Sequence, residues 1–133
     1  MPCILVVDDE AHIRLLIEQA LEELEDEGVE ILTAENGEEA LQIIRGQKPN
    51  LVFLDVMLPK MNGFDVCRQV KSDLGMRDVY VIMLTAKGQE YDKHRGEEVG
   101  ANLYMTKPFD PDELLARFDP DELLARAREA LGA

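Results

Sequence analysis

Cysteine is scarce in this chain: Cys3 and Cys67 are the only two in 133 residues, and they have neither metal-ligand nor redox-motif spacing. Both are expected as thiols packed like small hydrophobes. No apolar run approaches the roughly 20 residues that span a membrane. The opening Met1-Pro2-Cys3-Ile4-Leu5-Val6-Val7 lacks a basic start and runs straight into Asp8-Asp9-Glu10, too short for the core of a secretory leader. A cytoplasmic protein without a membrane partner is the expectation. Basic residues number 14 against 28 acidic ones, a formal charge of −14. Phosphate backbones repel such a surface, so no direct nucleic-acid contact is expected and a cation or a basic partner patch suits it better. A basic stretch long enough for a DNA-reading helix is missing, and no effector domain is expected from these residues. No glycine-rich phosphate loop follows the first apolar run either, which disfavours a flavin or nucleotide carrier.

With 46% apolar and 32% charged residues, the composition excludes disorder, and the length suits one domain spanning 1–133. Five times an apolar run of strand type leads into a segment of helical period. Residues 3–7 precede 10–25, where Ile13, Leu16, Ile17, Ala20, Leu21 and Leu24 recur at three and four. Residues 29–34 precede a helix that starts at Asn36-Gly37, carries Ala40, Leu41 and Ile44, and is expected to end at Gly46. The run 51–54 is followed by the loop 59–63 and a helix to about Leu74. Residues 79–84 precede a helix from Gln89 to about Val99, and 101–105 form a short fifth strand. Repeated alternation with connections too long for hairpins implies an α/β fold, a doubly wound, five-stranded parallel sheet with helices on both faces, for which the flavodoxin-like order 2-1-3-4-5 is the expectation taken.

The polar groups at the strand ends are what such a sheet would use. Asp8 and Asp9 follow the first strand, Asp55 the third, Thr85 the fourth and Lys107 the fifth. Ligands of open parallel sheets bind outside the carboxyl ends of the strands, where the strand order reverses. Taken singly, each residue has an ordinary reading. Asp8-Asp9-Glu10 is a first-turn acidic cluster, Asp55 a turn or helix cap, Thr85 a strand residue, Lys107 a surface amine and Tyr104 a half-buried strand aromatic. Their joint placement is hard to obtain from packing alone. With order 2-1-3-4-5, Asp8, Asp9 and Asp55 converge, and three carboxylates repel unless a hard cation such as Mg²⁺ joins them.

The segments Ile4-Leu-Val-Val-Asp-Asp-Glu10, Leu54-Asp-Val-Met-Leu-Pro-Lys-Met-Asn-Gly63, Leu84-Thr-Ala86 and Lys107-Pro-Phe109 resemble, in order, those of a response-regulator receiver domain, over about residues 3–117. The resemblance implies that Asp55 accepts a phosphoryl group from a histidine kinase or phosphotransfer protein. It implies that Asp8, Asp9, Asp55 and the backbone carbonyl of Met57 hold Mg²⁺, or Mn²⁺ in its place. Thr85 would hydrogen-bond the phosphoryl oxygens, Lys107 would pair with one of them, and Lys107-Pro108 would be a cis peptide. Tyr104 would turn inward with Thr85, changing the surface around the fourth helix (89–99), the fifth strand and the fifth helix for a downstream protein partner. Such a module is a signalling switch with self-catalysed phosphoryl transfer and autodephosphorylation, not an enzyme in its own right. The alternative is a metal-dependent phosphatase with an aspartyl-phosphate intermediate, which would want a second Asp at 57, where this chain has Met.

The end of the chain departs from the family pattern. Residues 109–117 (Phe-Asp-Pro-Asp-Glu-Leu-Leu-Ala-Arg) are followed at once by an identical copy at 118–126. Nine residues at about 100° each turn a helix through about 180° beyond whole turns, so one straight helix would put Leu114/Leu115 and Leu123/Leu124 on opposite faces. A break near Phe118-Asp119 is expected, because Pro120 opposes a continuing helix and Asp-Pro starts a new one. The first copy, tethered directly to the fifth strand, is expected to dock, and the second to project its apolar stripe outward and invite self-association.

Overall fold

The computed structural model describes residues 2–85, 100–106 and 120–132. Five short apolar segments form one parallel sheet: β1 (Cys3–Val7), β2 (Glu30–Ala34), β3 (Leu51–Asp55), β4 (Tyr80–Thr85) and β5 (Leu103–Thr106), in the order β2-β1-β3-β4-β5. The doubly wound sheet expected from the alternation is therefore present, in the expected order. Strand limits shift by a residue or two; β3 extends to include Asp55 and β4 to include Thr85. All five residues of β1 and of β3 are buried, as central strands covered on both faces must be.

Alternate residues of the strands feed two cores. Ile4, Val6, Leu51, Phe53, Ile82 and Leu84 face one way, against α1 (Ala11–Ala20), α2 (Glu22–Asp26) and α5 (Pro120–Gly132). Leu5, Val7, Val52, Leu54, Val81 and Met83 face the other, against α3 (Gly37–Gln47) and α4 (Gly63–Arg68), which opens into a π-helical turn over Gln69–Asp73. The single helix expected over 10–25 is broken at Leu21, whose N–H is shared between the carbonyls of Ile17 at 3.0 Å and Glu18 at 3.1 Å. Leu21 and Leu24 stay buried on the same side, so the apolar period runs across the break and conceals it.

At the end of α3 the expectation was Gly46, but Gly46 lies inside the helix. Lys48 adopts the left-handed conformation (φ 49°, ψ 62°) and returns its N–H to Ile44 at 3.0 Å. Pro49 follows and cannot extend the helix. Both cysteines are buried thiols.

The end of the chain overturns one expectation. The second copy, expected to project outward, is docked: α5 starts at Pro120, buries Ala127 fully, and packs Leu124, Ala130 and Leu131 against the core it shares with Leu16, Ile17 and Ala20. Arg128 reaches α2, bonding Glu23 at 2.6 Å and Glu27 at 2.6 and 3.0 Å. The second copy continues into Ala127, Ala130 and Leu131, and so buries more than the short first copy could. The apolar stripe expected to face outward is covered by the domain's own core, which removes the basis given for self-association. The first copy, the break at Phe118-Asp119, the helix 89–99, Lys107 and the Lys107-Pro108 peptide lie outside the described residues.

Candidate functional site

The register explains how distant residues meet at one edge. Val7 stands opposite Leu54, so Asp8 and Asp55, each next along its strand, emerge level with each other beside the β1–β3 seam. Asp55 pairs with Leu84, and Thr85 with Thr106, so Thr85 sits one residue further out on the neighbouring strand. Asp8, Asp55 and Thr85 are all buried, with exposures of 0%, 1% and 4%. Buried carboxylates without compensation are costly, and local geometry holds both. Asp8 Oδ1 accepts the Glu10 N–H at 2.9 Å, and Asp55 Oδ1 accepts the Met57 N–H at 3.1 Å.

The loop after β3 is folded back onto Asp55. Gly63 donates its N–H to the Val56 carbonyl at 2.9 Å, and a Cβ at Gly63 would overlap the Asp55 carbonyl oxygen. Glycine is needed there because backbone passes over backbone. Asn62 then caps α4 by accepting the Asp65 N–H at 3.0 Å. The loop is thus pinned at both ends, which fixes Met57, whose side chain is exposed.

On the β1 side, Arg14 donates to the Asp8 carbonyl at 2.7 Å and lies 3.5 Å from Glu35. Carboxylate oxygens of Asp8, Asp9 and Glu10 lie within 4.8 Å of one another, the first buried and the other two exposed. A set of hard oxygen donors open to solvent on one side fits an Mg²⁺-sized ion that keeps part of its water shell. Glu10 was missed as a member of this group because its place before a helix reads as a first-turn charge. Its only sequence signal is adjacency to Asp8-Asp9. Asp55 is not within that tight trio, although it faces the same edge.

Thr85 Oγ1 points to the Met105 carbonyl, a long contact of 3.5 Å. Tyr104, half-buried on β5, packs on the core shared with α3 and α4. Sequence reading also missed Lys71. From the π-helical turn its ammonium donates to the Arg77 carbonyl at 3.1 Å, to Asn102 Oδ1 at 2.9 Å and to the Val79 carbonyl, at the opposite edge of the sheet. A lysine in an amphipathic segment reads as a surface charge, and nothing nearby in sequence says otherwise.

A doubly wound parallel sheet with buried acids at the reversal of strand order, a hydroxyl on the next strand and an acidic cluster fit for a divalent ion is the arrangement expected of a receiver-type signalling module. The family model for the response regulator receiver domain matches residues 4–119. A transcriptional regulator, ycf27, of Porphyra purpurea is 51% identical over 114 residues, 86% of this chain and 44% of that protein. The phosphate regulon transcriptional regulatory protein PhoB of Pseudomonas aeruginosa is 51% identical over 86% of this chain and 48% of its own length. Among solved structures, a response regulator from Chloroflexus aurantiacus superposes with a TM-score of 0.82 at 34% identity over the full length of both chains. The chain belongs to the response-regulator receiver family of two-component systems, and it spans less than half the length of these curated relatives. The family match stops at residue 119, just short of the helix that the fold docks.

Proposed function

We propose that this domain is a phosphorylation switch in which Asp55 is the phosphoacceptor. The observation that carries the reading is the placement of Asp55: buried at the end of the central strand, level with Asp8, and held through one oxygen by the Met57 N–H. An Asp55 carboxylate oxygen attacks phosphorus, the P–N bond to the donor imidazole of a histidine kinase or phosphotransfer protein breaks, and the imidazole leaves with the bonding pair and takes up a proton. Asp8, Asp9, Asp55 and the Met57 carbonyl would hold Mg²⁺, with Glu10 beside them. The ion would neutralise charge on the transferring oxygens.

Thr85 hydrogen-bonds one phosphoryl oxygen and Lys107 pairs with another. As Thr85 moves toward the phosphoryl group it leaves the Met105 carbonyl, and Tyr104 turns into the space behind it. The surface of segment 89–99, β5 and the last helix then differs between the two states, and a downstream protein partner reads it. The process runs in the cytoplasm and ends by autodephosphorylation; no helix among the described residues is long and apolar enough to cross a membrane.

Incubation of the full chain with acetyl phosphate and Mg²⁺ should add the mass of one phosphoryl group, and Asp55→Asn should abolish it. Labelling that survives Asp55→Asn overturns the assignment.

A further inference from the structure

The duplicated segment poses a choice that the repeat cannot make, since residues 109–117 and 118–126 are identical. The residues that follow each copy are not. Sliding the chain by nine residues, so that the first copy docks where α5 lies, would put Leu115 in place of Leu124, an even exchange. It would also put Phe118 in place of Ala127, Asp119 in place of Arg128, Asp121 in place of Ala130 and Glu122 in place of Leu131. Ala127 has no exposed surface, so a phenyl ring there overpacks the helix against the sheet. Ala130 and Leu131, both half-buried, pack on the apolar core, where two carboxylates would be set against apolar surface. Arg128 binds Glu23 and Glu27, and an aspartate in its place would face like charges.

We infer that the two copies are not equivalent: the tail Ala127-Arg128-Ala130-Leu131 locks the second copy into the helix position, which makes the first copy dispensable for stability and for labelling. By sequence, thirteen residues, 107–119, separate Thr106 from Pro120, where a chain with one copy would have four. Excision of either copy yields one and the same chain, in which the docked residues keep their order.

The repeat supplies its own matched control. Leu124→Glu and Leu115→Glu are the same substitution within the same nine residues, made in the full chain. Leu124→Glu should lower the thermal midpoint by roughly 5–10 °C, and Leu115→Glu should leave it within about 1 °C. Should Leu124→Glu fail to fold, the Leu124→Ala and Leu115→Ala pair takes its place with the same asymmetry. Deletion of 109–117 should leave the midpoint unchanged or raised, with acetyl phosphate labelling retained. Equal loss in the two members of a pair, a larger loss at Leu115, or a deletion variant that melts lower or no longer labels would overturn the inference.

Discussion

Replacing Lys71 by Met tests whether one buried ammonium fastens three parts of the fold. Lys71 is 8% exposed, and its three protons have three acceptors: the carbonyls of Arg77 and Val79, and Asn102 Oδ1. Asn102 Oδ1 also takes the Val81 N–H at 2.8 Å, and Asn102 gives its own N–H to the Val81 carbonyl at 2.9 Å. The π-helical turn and the beginnings of β4 and β5 are thereby tied to a single nitrogen. Burial pulls the Lys71 pKa below its usual 10.5, while Cys67 and Asp78 push it back up. Methionine keeps the stem that lies over Gly100 and deletes only the charge.

Each charge-assisted bond is worth about 1.5–3 kcal/mol, and a carbonyl left without a partner costs about 1–3 kcal/mol. Against this, the variant no longer has to desolvate an ammonium. Asn102 Oδ1 keeps the Val81 N–H, so two carbonyls are orphaned and the net loss should be about 2–4 kcal/mol. For a chain of this length, 1 kcal/mol moves the midpoint by roughly 3–4 °C, so Lys71→Met should melt roughly 7–14 °C lower. Thermal and urea melts at pH 7, with amide exchange read at β5, measure it. A loss under about 1 kcal/mol, or unaltered exchange at β5, would refute the idea that the ammonium is a tie rather than a tolerated burial.

Other outcomes follow from the site and its supports. Gly63→Ala places a methyl against the Asp55 carbonyl oxygen and 3.0 Å from the Asp55 carbonyl carbon; it should cost about 2 kcal/mol or more by denaturant melt and slow acetyl phosphate labelling. Cys67 is fully buried, and desolvation pushes its thiol from 9.0 up to about 11. A raised folded pKa contributes stability that is whole below pH 9 and is lost as pH climbs toward 11, up to about 2.7 kcal/mol. Lys71, whose pKa is lowered, acts with the opposite sign in both chains, and because Cys67 and Lys71 are coupled the steeper alkaline fall of wild type over Cys67→Ala in urea melts reads the thiol together with that coupling. With a dissociation constant of about 1 mM, ~10 mM Mg²⁺ should stabilise the domain by ~1.4 kcal/mol over EDTA. The Asp8→Asn/Asp9→Asn pair should lose that increment, and an equal rise in the variant would count against a specific site.

Some features could be read before any fold was known. Alternation of buried runs such as Leu51–Leu54 with 3.6-period segments is a local property, and it already implied a doubly wound parallel sheet with Asp8, Asp55 and Thr85 at its carboxyl edge; the order β2-β1-β3-β4-β5 agrees with the one taken for it. Asp8, Asp55 and Thr85 were legible for the same reason, since each lies at a strand end that the pattern marks. What required the tertiary structure involves partners far apart in sequence. The break at Leu21 is invisible because the apolar face continues across it, and Lys48 rather than Gly46 ends α3 because the turn toward Pro49 and β3 demands it. Lys71 is buried because the Arg77 and Val79 carbonyls and Asn102, thirty-one residues on, meet its ammonium. The choice between two identical copies was undecidable from the repeat. It depends on whether Ala127 fits a filled core and whether Arg128, one hundred and one residues from Glu27, finds its acids, and only the packed molecule puts those groups side by side.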